Sequence, residues 1–257
     1  MLDSKSIKAI LFDVGGTLNY AASGNWFIPP NFFNYIDREK FENIDPLLKK
    51  QAFGKGIEYL LTNHLVLTEE EEYQAFALFY NNINEELGLN FSSQTISDLA
   101  KDNVFNDDKF IFYDDVPETL HKLSQCYMLG VVSDTWPSLD RVFINAKLRH
   151  YFSTFVMSSI LGVCKPNELL YTTALTELDI KPNEALFIDD VKGNLDGATK
   201  LGIQTILIKR DNKSTNHESY YEGDYLCVDN IADIIKLIQG SRPLFHQVAG
   251  LPMHSKE

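Results

Sequence analysis

Four short segments of the chain carry side chains that could do chemistry. FDVGGTL places Asp13 between an apolar run and a glycine-rich turn, whose backbone N–H groups can face an anion. VVSD puts the hydroxyl of Ser133 after a second apolar run, and GVCKP supplies the ammonium group of Lys165. FIDDVKGNLDGA adds two adjacent carboxylates, Asp189 and Asp190, after a third run. Each segment alone also has a structural explanation, such as a turn cap or a surface lysine, so only their arrangement can identify a site.

The apolar runs beside these residues predict short buried strands. They lie at residues 7–12, 128–132, 155–157, 185–188 and 203–208. Helix-period stretches lie between and beside them, at 116–125, 138–147, 167–178 and 195–201. Strands that alternate with helices predict an α/β fold, with a doubly wound, Rossmann-like parallel sheet covered on both faces. Ligands of such sheets bind beyond the carboxyl ends of the strands, which is where Asp13, Ser133 and the acidic pair are expected.

The segment between the first strand and the helix at 116–125 is too long for one crossover, at roughly 95 residues where about a dozen or more suffice. Its sequence predicts helices at 31–41, 46–63, 68–87 and 92–101. Thr68 and the acidic run 69–72 are typical of a helix N-terminus, and the acids are expected to face solvent. We therefore predict a core formed by residues 1–20 and 113–240, an inserted helical domain at 21–112, and a tail at 241–257.

Composition narrows the function classes. The chain has 257 residues, of which 44% are hydrophobic and 23% charged, as in ordinary globular proteins. A net charge of −13 without a Lys/Arg cluster argues against nucleic acid as a partner. No apolar run approaches the roughly 20 residues that cross a bilayer, so no membrane partner and a cytoplasmic location are expected. The three cysteines, Cys126, Cys164 and Cys227, lack metal-ligand spacing and are interpreted as reduced core residues.

In their joint order, the four segments resemble the motifs of the haloacid dehalogenase (HAD) superfamily. The family pattern is an Asp, a second Asp two positions on and a Thr two further, then a Ser or Thr, a Lys and an acidic pair. The residues that match this pattern are Asp13, Thr17, Ser133 and Lys165. The match extends along the chain from Asp13 to Asp196. The resemblance implies a HAD-type core, with the helical insert as the cap of the family's first type. It also implies a hydrolase that acts through an aspartyl-phosphate on Asp13, later hydrolysed by water.

The same residues suit displacement at phosphorus. A carboxylate nucleophile needs an electrophile whose negative charge has been neutralised, and Mg²⁺ does this while binding hard oxygen ligands. Asp13, the backbone carbonyl of Gly15, and Asp190 with Asp189 beside it are the expected ligands.

The phosphoryl group is expected to contact the remaining residues of these segments. Ser133 can donate to a phosphoryl oxygen, and Lys165 adds a compact positive charge that holds the phosphate. Gly16, Thr17 and Asp134 complete the expected substrate-binding set, with Thr17 orienting the first loop. The expected substrate is a small phosphorylated metabolite.

Gly15 departs from the family pattern because most family phosphatases have their second Asp at this position. That residue protonates the leaving oxygen, a contribution worth about 10²–10⁴ in rate. A backbone with φ > 0 would be another reason for glycine at position 15. Three functions therefore stay open: a Mg²⁺-dependent phosphatase with a modified acid–base step, a metal-independent dehalogenase-type hydrolase, and a catalytically weak module that binds a phosphorylated ligand.

Substrate identity is not encoded in a recognisable motif. In a cap of this type the leaving group would meet residues of the insert, and Trp26, Phe27, Asn63 and His64 are candidates, although packing or exposure explains each of them equally well. The sequence leaves the oligomeric state open.

Overall fold

A computed structural model describes residues 2–210 and 219–239 of the chain. Seven strands of this part form one sheet in the order β5-β4-β1-β6-β7-β9-β8. They are β1 (Ala9–Phe12), β4 (Met128–Ser133), β5 (Phe152–Met157), β6 (Ala185–Asp189), β7 (Gln204–Ile208), β8 (Tyr220–Glu222) and β9 (Tyr225–Val228). All neighbours pair in parallel except β8, which runs antiparallel to β9 at the edge.

The register of the central strands brings the predicted site residues to one edge. β1 lies between β4 and β6, with Phe12 opposite both Val131 and Ile188. The backbone N–H of Asp13 donates to the carbonyl of Ile188 at 2.9 Å, so the pairing continues to the end of the strand. The three strands therefore deliver their following residues to the same side of the molecule.

Helices cover both faces of the sheet, as the alternation predicts. They are α6 (Val116–Ser124), α7 (Ser138–Asn145), α8 (Ser158–Leu161), α9 (Glu168–Glu177), α10 (Lys192–Lys200) and α11 (Ala232–Gln239). One apolar cluster joins the sheet to α6, α7 and α11. A second joins the opposite side of the strands to α9 and α10. This confirms the α/β fold class.

The segment after the first strand is helical, with its own apolar cluster that is rich in aromatic residues. Its helices are α1 (Phe32–Tyr35), α2 (Arg38–Glu42), α3 (Pro46–Thr62), α4 (Glu69–Leu87) and α5 (Ser93–Phe105). We call α1 to α5 the inserted helices. The prediction of a single helix at 31–41 is wrong: Ile36 is extended, and the Asp37 side chain accepts from the N–H of Lys40 to begin a second helix.

Several short elements have no counterpart in the sequence prediction. Strands β2 (Asn19–Ala21) and β3 (Phe110–Phe112) pair antiparallel where the chain enters and leaves the inserted helices. They are only three residues each, too short to show a period. β8, β9 and α11 were not predicted either. The domain bounds 1–20, 21–112 and 113–240 stay a prediction, and residue 240 and the tail at 241–257 lie outside the described residues.

The cysteines differ in exposure, and all three are free thiols. Cys227 is buried, as predicted, and Cys164 is half-buried. Cys126 is exposed, so its interpretation as a core residue is wrong; it lies just after α6, where the chain turns toward β4.

Within residues 2–210 and 219–239, no helix combines the length and hydrophobicity required to cross a membrane.

Candidate active site

Asp13 accepts two hydrogen bonds from residues that are distant in sequence. Its Oδ1 accepts from the hydroxyl of Ser133 at 2.8 Å and from the ammonium group of Lys165 at 2.6 Å. Lys165 also donates to Oδ2 of Asp189 at 2.7 Å, and its side chain is 1% exposed. The structure thus brings together four of the residues singled out in the sequence, and it removes the explanation of Lys165 as a surface lysine.

Asp189 is held by several donors at once. Besides Lys165, the backbone N–H of Val191 donates to its Oδ1 at 2.7 Å, and the Asn194 amide donates to both carboxylate oxygens. Burial, together with the neighbouring charge of Asp13, raises the pKa of Asp189 to about 7. For Lys165, burial alone would lower the pKa, but the surrounding carboxylates outweigh it and raise the pKa above its ordinary value. The ammonium form is therefore maintained in this buried position.

The third carboxylate of the cluster, Asp190, is exposed. One oxygen each from Asp13, Asp189 and Asp190 lies within 4.8 Å of the other two. The loop after β1 comes so close that a β-carbon on Gly16 would overlap the Asp190 carboxylate. Gly16 has φ +78°, whereas Gly15 lies outside the left-handed region. The conformational demand for glycine therefore falls on Gly16, and a positive φ is not the reason for glycine at position 15.

The loop residue Thr17 lies in the interior, fully buried. Its Oγ1 has no hydrogen-bond partner among the described residues, while its carbonyl accepts from Arg210 at 2.6 and 2.9 Å. Arg210 also pairs with Asp115 at 2.9 Å and so ties the loop to the start of α6. Sequence reasoning missed Arg210, although its position after the strand at 203–208 placed it at the same edge.

Asp134 accepts from the backbone N–H of Lys165 at 2.9 Å, and burial raises the pKa of Asp134.

A cavity of about 170 Å³ lies between the first loop and the inserted helices. Gly15, Asn19, Ser133 and Asp134 contribute to its lining on the side of the sheet, and Trp136 and Leu139 follow them in the chain. From the inserted segment it is lined by Trp26, Phe27, Glu72, Phe76, Lys109 and Phe110. Two of the four candidates for leaving-group contact, Trp26 and Phe27, are therefore at this cavity.

The other two candidates lie elsewhere. Asn63 donates to the carbonyl of Tyr59, one turn back in α3. His64 is buried, hydrogen-bonds the hydroxyl of Ser158 at 2.7 Å and packs edge-on against Trp136. His64 thus connects the inserted segment to α8 behind the cavity wall.

Glu72 and Lys109 are buried charges that the sequence did not reveal. Glu72 was expected to face solvent with the rest of the acidic run, but it is 0% exposed and accepts from the N–H and the hydroxyl of Ser138 at 2.8 and 2.7 Å. It therefore caps the start of α7 from a different part of the chain. Burial raises the pKa of Glu72 to about 7 and lowers that of Lys109 to about 8, each opposed by the charge of the other.

Comparison with known proteins shows which protein family the chain is similar to. Residues 49–208 match the family model of haloacid dehalogenase-like hydrolases. The chain is 23% identical to a glyceraldehyde 3-phosphate phosphatase of Pyrococcus furiosus over 94% of its own length and 98% of the relative. It is 33% identical to the phosphatase of the same name from Methanopyrus kandleri, but over only 41% of its own length and 48% of that relative.

A solved structure shows the same fold. The L-2-haloacid dehalogenase from Xanthobacter autotrophicus with covalently bound chloropropionic acid superposes with a TM-score of 0.63 at 19% identity, covering 92% of this chain and 100% of that one. At this identity the likeness speaks for the fold alone. Since the family model spans more than half of the chain and the fold agrees, the protein belongs to the haloacid dehalogenase-like hydrolases.

Proposed function

We propose that this hydrolase is a Mg²⁺-dependent phosphatase that acts on small phosphomonoesters through an aspartyl-phosphate on Asp13. The observation that carries the proposal is a cluster of three carboxylates, two of which share one buried ammonium group, with a hydroxyl that donates to the prospective nucleophile. A dehalogenase acting on carbon without a metal would gain nothing from the pair Asp189 and Asp190, because their negative charge would lie beside the nucleophile Asp13 with no dication to balance it.

The oxygen atoms of the three carboxylates are suited to binding a hard divalent cation such as Mg²⁺. Asp13, Asp189 and Asp190 supply oxygen atoms within 4.8 Å of one another, and Lys165 offsets only part of their negative charge. Both oxygens of Asp189 already accept hydrogen bonds from the protein. We therefore assign Asp13, Asp190 and the Gly15 carbonyl as direct ligands, with Asp189 supporting them. When bound, Mg²⁺ would neutralise the charge of the phosphoryl group.

The chain's own residues then account for the displacement. The Asp13 carboxylate attacks phosphorus, the P–O bond to the leaving group breaks, and the electron pair departs with the ester oxygen. Lys165 and Ser133 hold phosphoryl oxygens, and Gly16, Thr17 and Asp134 shape the loop and pocket around them. Water then cleaves the aspartyl-phosphate. Because Gly15 offers no acid, leaving groups that need little protonation should react fastest.

The phosphatases to which the chain is similar support this reading. Glyceraldehyde 3-phosphate, the substrate in their names, is itself a small phosphomonoester. The aligned segment covers about half of the Methanopyrus kandleri protein, so the match supports the reaction class and leaves the substrate open.

Phosphate release from 4-nitrophenyl phosphate and glyceraldehyde 3-phosphate, measured with Mg²⁺ and with EDTA, tests the proposal. We expect release only with Mg²⁺, and loss of it in Asp13→Asn. Asp196→Asn is the matched control, since Asp196 is an exposed carboxylate outside the cluster. Chloride release from 2-chloropropionate without metal would identify a dehalogenase instead. Phosphate binding without turnover, even in a single-turnover experiment, would identify the binding module.

A further inference from the structure

His64 is a buried histidine that attaches the inserted segment to the core. It lies just after α3 and is 5% exposed. Its Nε2 is 2.7 Å from the hydroxyl of Ser158, the first residue of α8, and its ring packs edge-on against Trp136 with centroids 4.9 Å apart. Nearby, the N–H of Val66 donates to the carbonyl of Ser159 at 3.0 Å. The turn after α3 is therefore held at the start of α8 by one side chain and one backbone hydrogen bond.

The start of α8 in turn holds the segment that follows β4. The Ser158 hydroxyl accepts from the N–H of Thr135 at 2.9 Å, and the N–H of Ser159 donates to the carbonyl of Thr135 at 3.2 Å. Thr135 lies two positions after Ser133, whose hydroxyl donates to the prospective nucleophile. A short series of hydrogen bonds thus leads from the imidazole to the segment that carries the proposed phosphate-binding hydroxyl.

The surroundings of His64 suit a neutral imidazole and oppose a charged one. Its Nδ1 is buried and has no hydrogen-bond partner among the described residues. The neutral ring can keep its single N–H on Nε2, directed at Ser158, and leave only an acceptor unpaired at Nδ1. The imidazolium has a second N–H, which would be buried with its charge and without an acceptor.

No charged neighbour offsets this cost. Burial is the cause that lowers the pKa of His64 below its ordinary 6.5, and no charged side chain of the described residues contributes. Cys164 hydrogen-bonds Ser158, and burial raises the pKa of its thiol to about 11, so that it stays neutral. The Asp134 carboxylate, on the same segment as Thr135, accepts from the backbone N–H of Lys165.

We propose that His64 is a positioning residue: in its neutral form it holds the segment after β4 to the inserted segment through Ser158, and protonation of its imidazole releases this attachment. A proton that binds the released form more tightly than the held form shifts the equilibrium toward release. Each pH unit below about 6.5 then favours release by up to a further tenfold, because the held imidazole excludes the proton. Since Ser133 and Trp136 belong to the released segment, substrate binding should weaken in acid.

Amide hydrogen exchange measures the attachment without a substrate. In the full chain with Mg²⁺, the N–H groups of Val66 and Thr135 are followed between about pH 5 and about pH 7.5, with correction for the intrinsic pH dependence of exchange. We expect their protection to fall at least about fivefold from pH 6.5 to pH 5. His64→Gln, whose amide can still hydrogen-bond Ser158 but does not titrate, should show no such fall. An equal fall in both proteins would overturn the proposal.

Two further variants separate attachment from packing. His64→Phe keeps a ring against Trp136 but removes the partner of Ser158, so the protection of both amides should be low at every pH. Full protection in this variant would show that the ring alone holds the segment, which would overturn the proposal. His121→Gln removes an exposed histidine of α6 and is the matched control, which should behave like the wild type.

The wild type alone provides an independent check. The Cε1–H resonance of His64 should titrate with a midpoint below 6.5, and protection should be lost between that midpoint and 6.5. A midpoint at or above 6.5 would overturn the proposal, whatever the variants do.

Steady-state kinetics connects the attachment to the reaction, and this part rests on the proposed phosphatase function. From pH 7.5 to pH 5, the KM of the wild type divided by that of His64→Gln should rise several-fold, while the ratio of their kcat values stays constant. The ratio cancels the ionisation of the substrate and of the carboxylate cluster, which both proteins share. A constant KM ratio beside a loss of protection would overturn the positioning role. Loss of protection in a protein that hydrolyses no phosphate ester would contradict the phosphatase function and support the attachment.

Discussion

The indole of Trp26 lies against Gly15, at the position where most phosphatases of this family have a second Asp. A β-carbon on Gly15 would come 3.3 Å from Cζ2 of Trp26. Trp26 in turn packs on Phe110, with ring centroids 5.5 Å apart. Because the φ of Gly15 is not left-handed, the neighbouring ring rather than the backbone opposes a larger residue at this position.

This contact predicts the outcome of restoring the missing acid. In Gly15→Asp, the carboxylate competes with the indole for space, so alkyl phosphate turnover should hardly change. In Gly15→Asp with Trp26→Ala, turnover of alkyl phosphates should rise by part of the ~10²–10⁴ that a positioned acid supplies, with little gain on 4-nitrophenyl phosphate. Steady-state kcat on both substrates measures this, with Trp26→Ala alone as the control. A full gain in the single variant would show that the indole is no obstacle.

Lys165 should stabilise the fold by compensating buried carboxylates. In Lys165→Met, Asp13 and Asp189 lose their shared cation, and the free energy of unfolding in EDTA should fall by about 3–5 kcal/mol. Mg²⁺ should restore part of the loss, because the same carboxylates are its proposed ligands. Lys192→Met, which breaks the exposed pair with Glu222, should cost about 0–1 kcal/mol. Urea unfolding with and without Mg²⁺ checks both, and a loss that Mg²⁺ leaves unchanged would contradict the metal assignment.

Glu72 predicts a pH dependence of stability. Its pKa of about 7 in the folded protein exceeds the ordinary 4.5, since burial outweighs the hydrogen bonds of Ser138 and the charge of Lys109, while Glu69 adds to the rise. The folded state therefore binds the proton more tightly. The stability this contributes is fully present below about pH 4.5 and is lost as the pH rises through about 7.

Glu72→Gln should remove this contribution and keep an acceptor for Ser138. The free energy of unfolding of the wild type relative to the variant should fall by a few kcal/mol between about pH 5 and about pH 7.5. Urea titrations across this range measure it. Asp189 is present in both proteins, so the difference reports on Glu72. Parallel stability curves would show that the buried carboxyl keeps an ordinary pKa.

Arg141 connects α7 to the inserted helices. It donates to Glu69 at 3.1 Å, to the carbonyl of Val104 at 2.6 Å, and to Asp107. Arg141→Ala should lower the free energy of unfolding by about 1–3 kcal/mol and raise KM, because one wall of the cavity loses its support. Urea unfolding and steady-state kinetics measure the two effects.

Arg149→Ala is the matched control for Arg141. Arg149 pairs with Asp140 and donates to the carbonyl of Phe152, all outside the inserted segment. It should therefore leave KM unchanged. An equal rise in KM in both variants would show that the effect is not specific to the contact with the inserted helices.

The sequence alone was enough to predict five of the seven strands of the sheet and the meeting of its motif residues. Apolar runs that end in Asp13, Ser133 and Asp189 specify parallel strands, and parallel strands place their carboxyl ends at one edge. Local chemistry also located helix starts: Thr68 accepts from the N–H of Glu71 as expected. These features depend on near neighbours in the chain or on the sheet as a whole, and both leave a periodic or positional signal.

Contacts between the inserted segment and the rest of the chain leave no periodic or positional signal in the sequence. Nothing near Glu72 shows that its carboxylate turns inward to cap α7, and nothing near Gly15 shows that an indole eleven positions on covers it. Strand periodicity and motif order determine where the phosphoryl group is expected to bind; only the packing of the inserted helices decides what surrounds the leaving group.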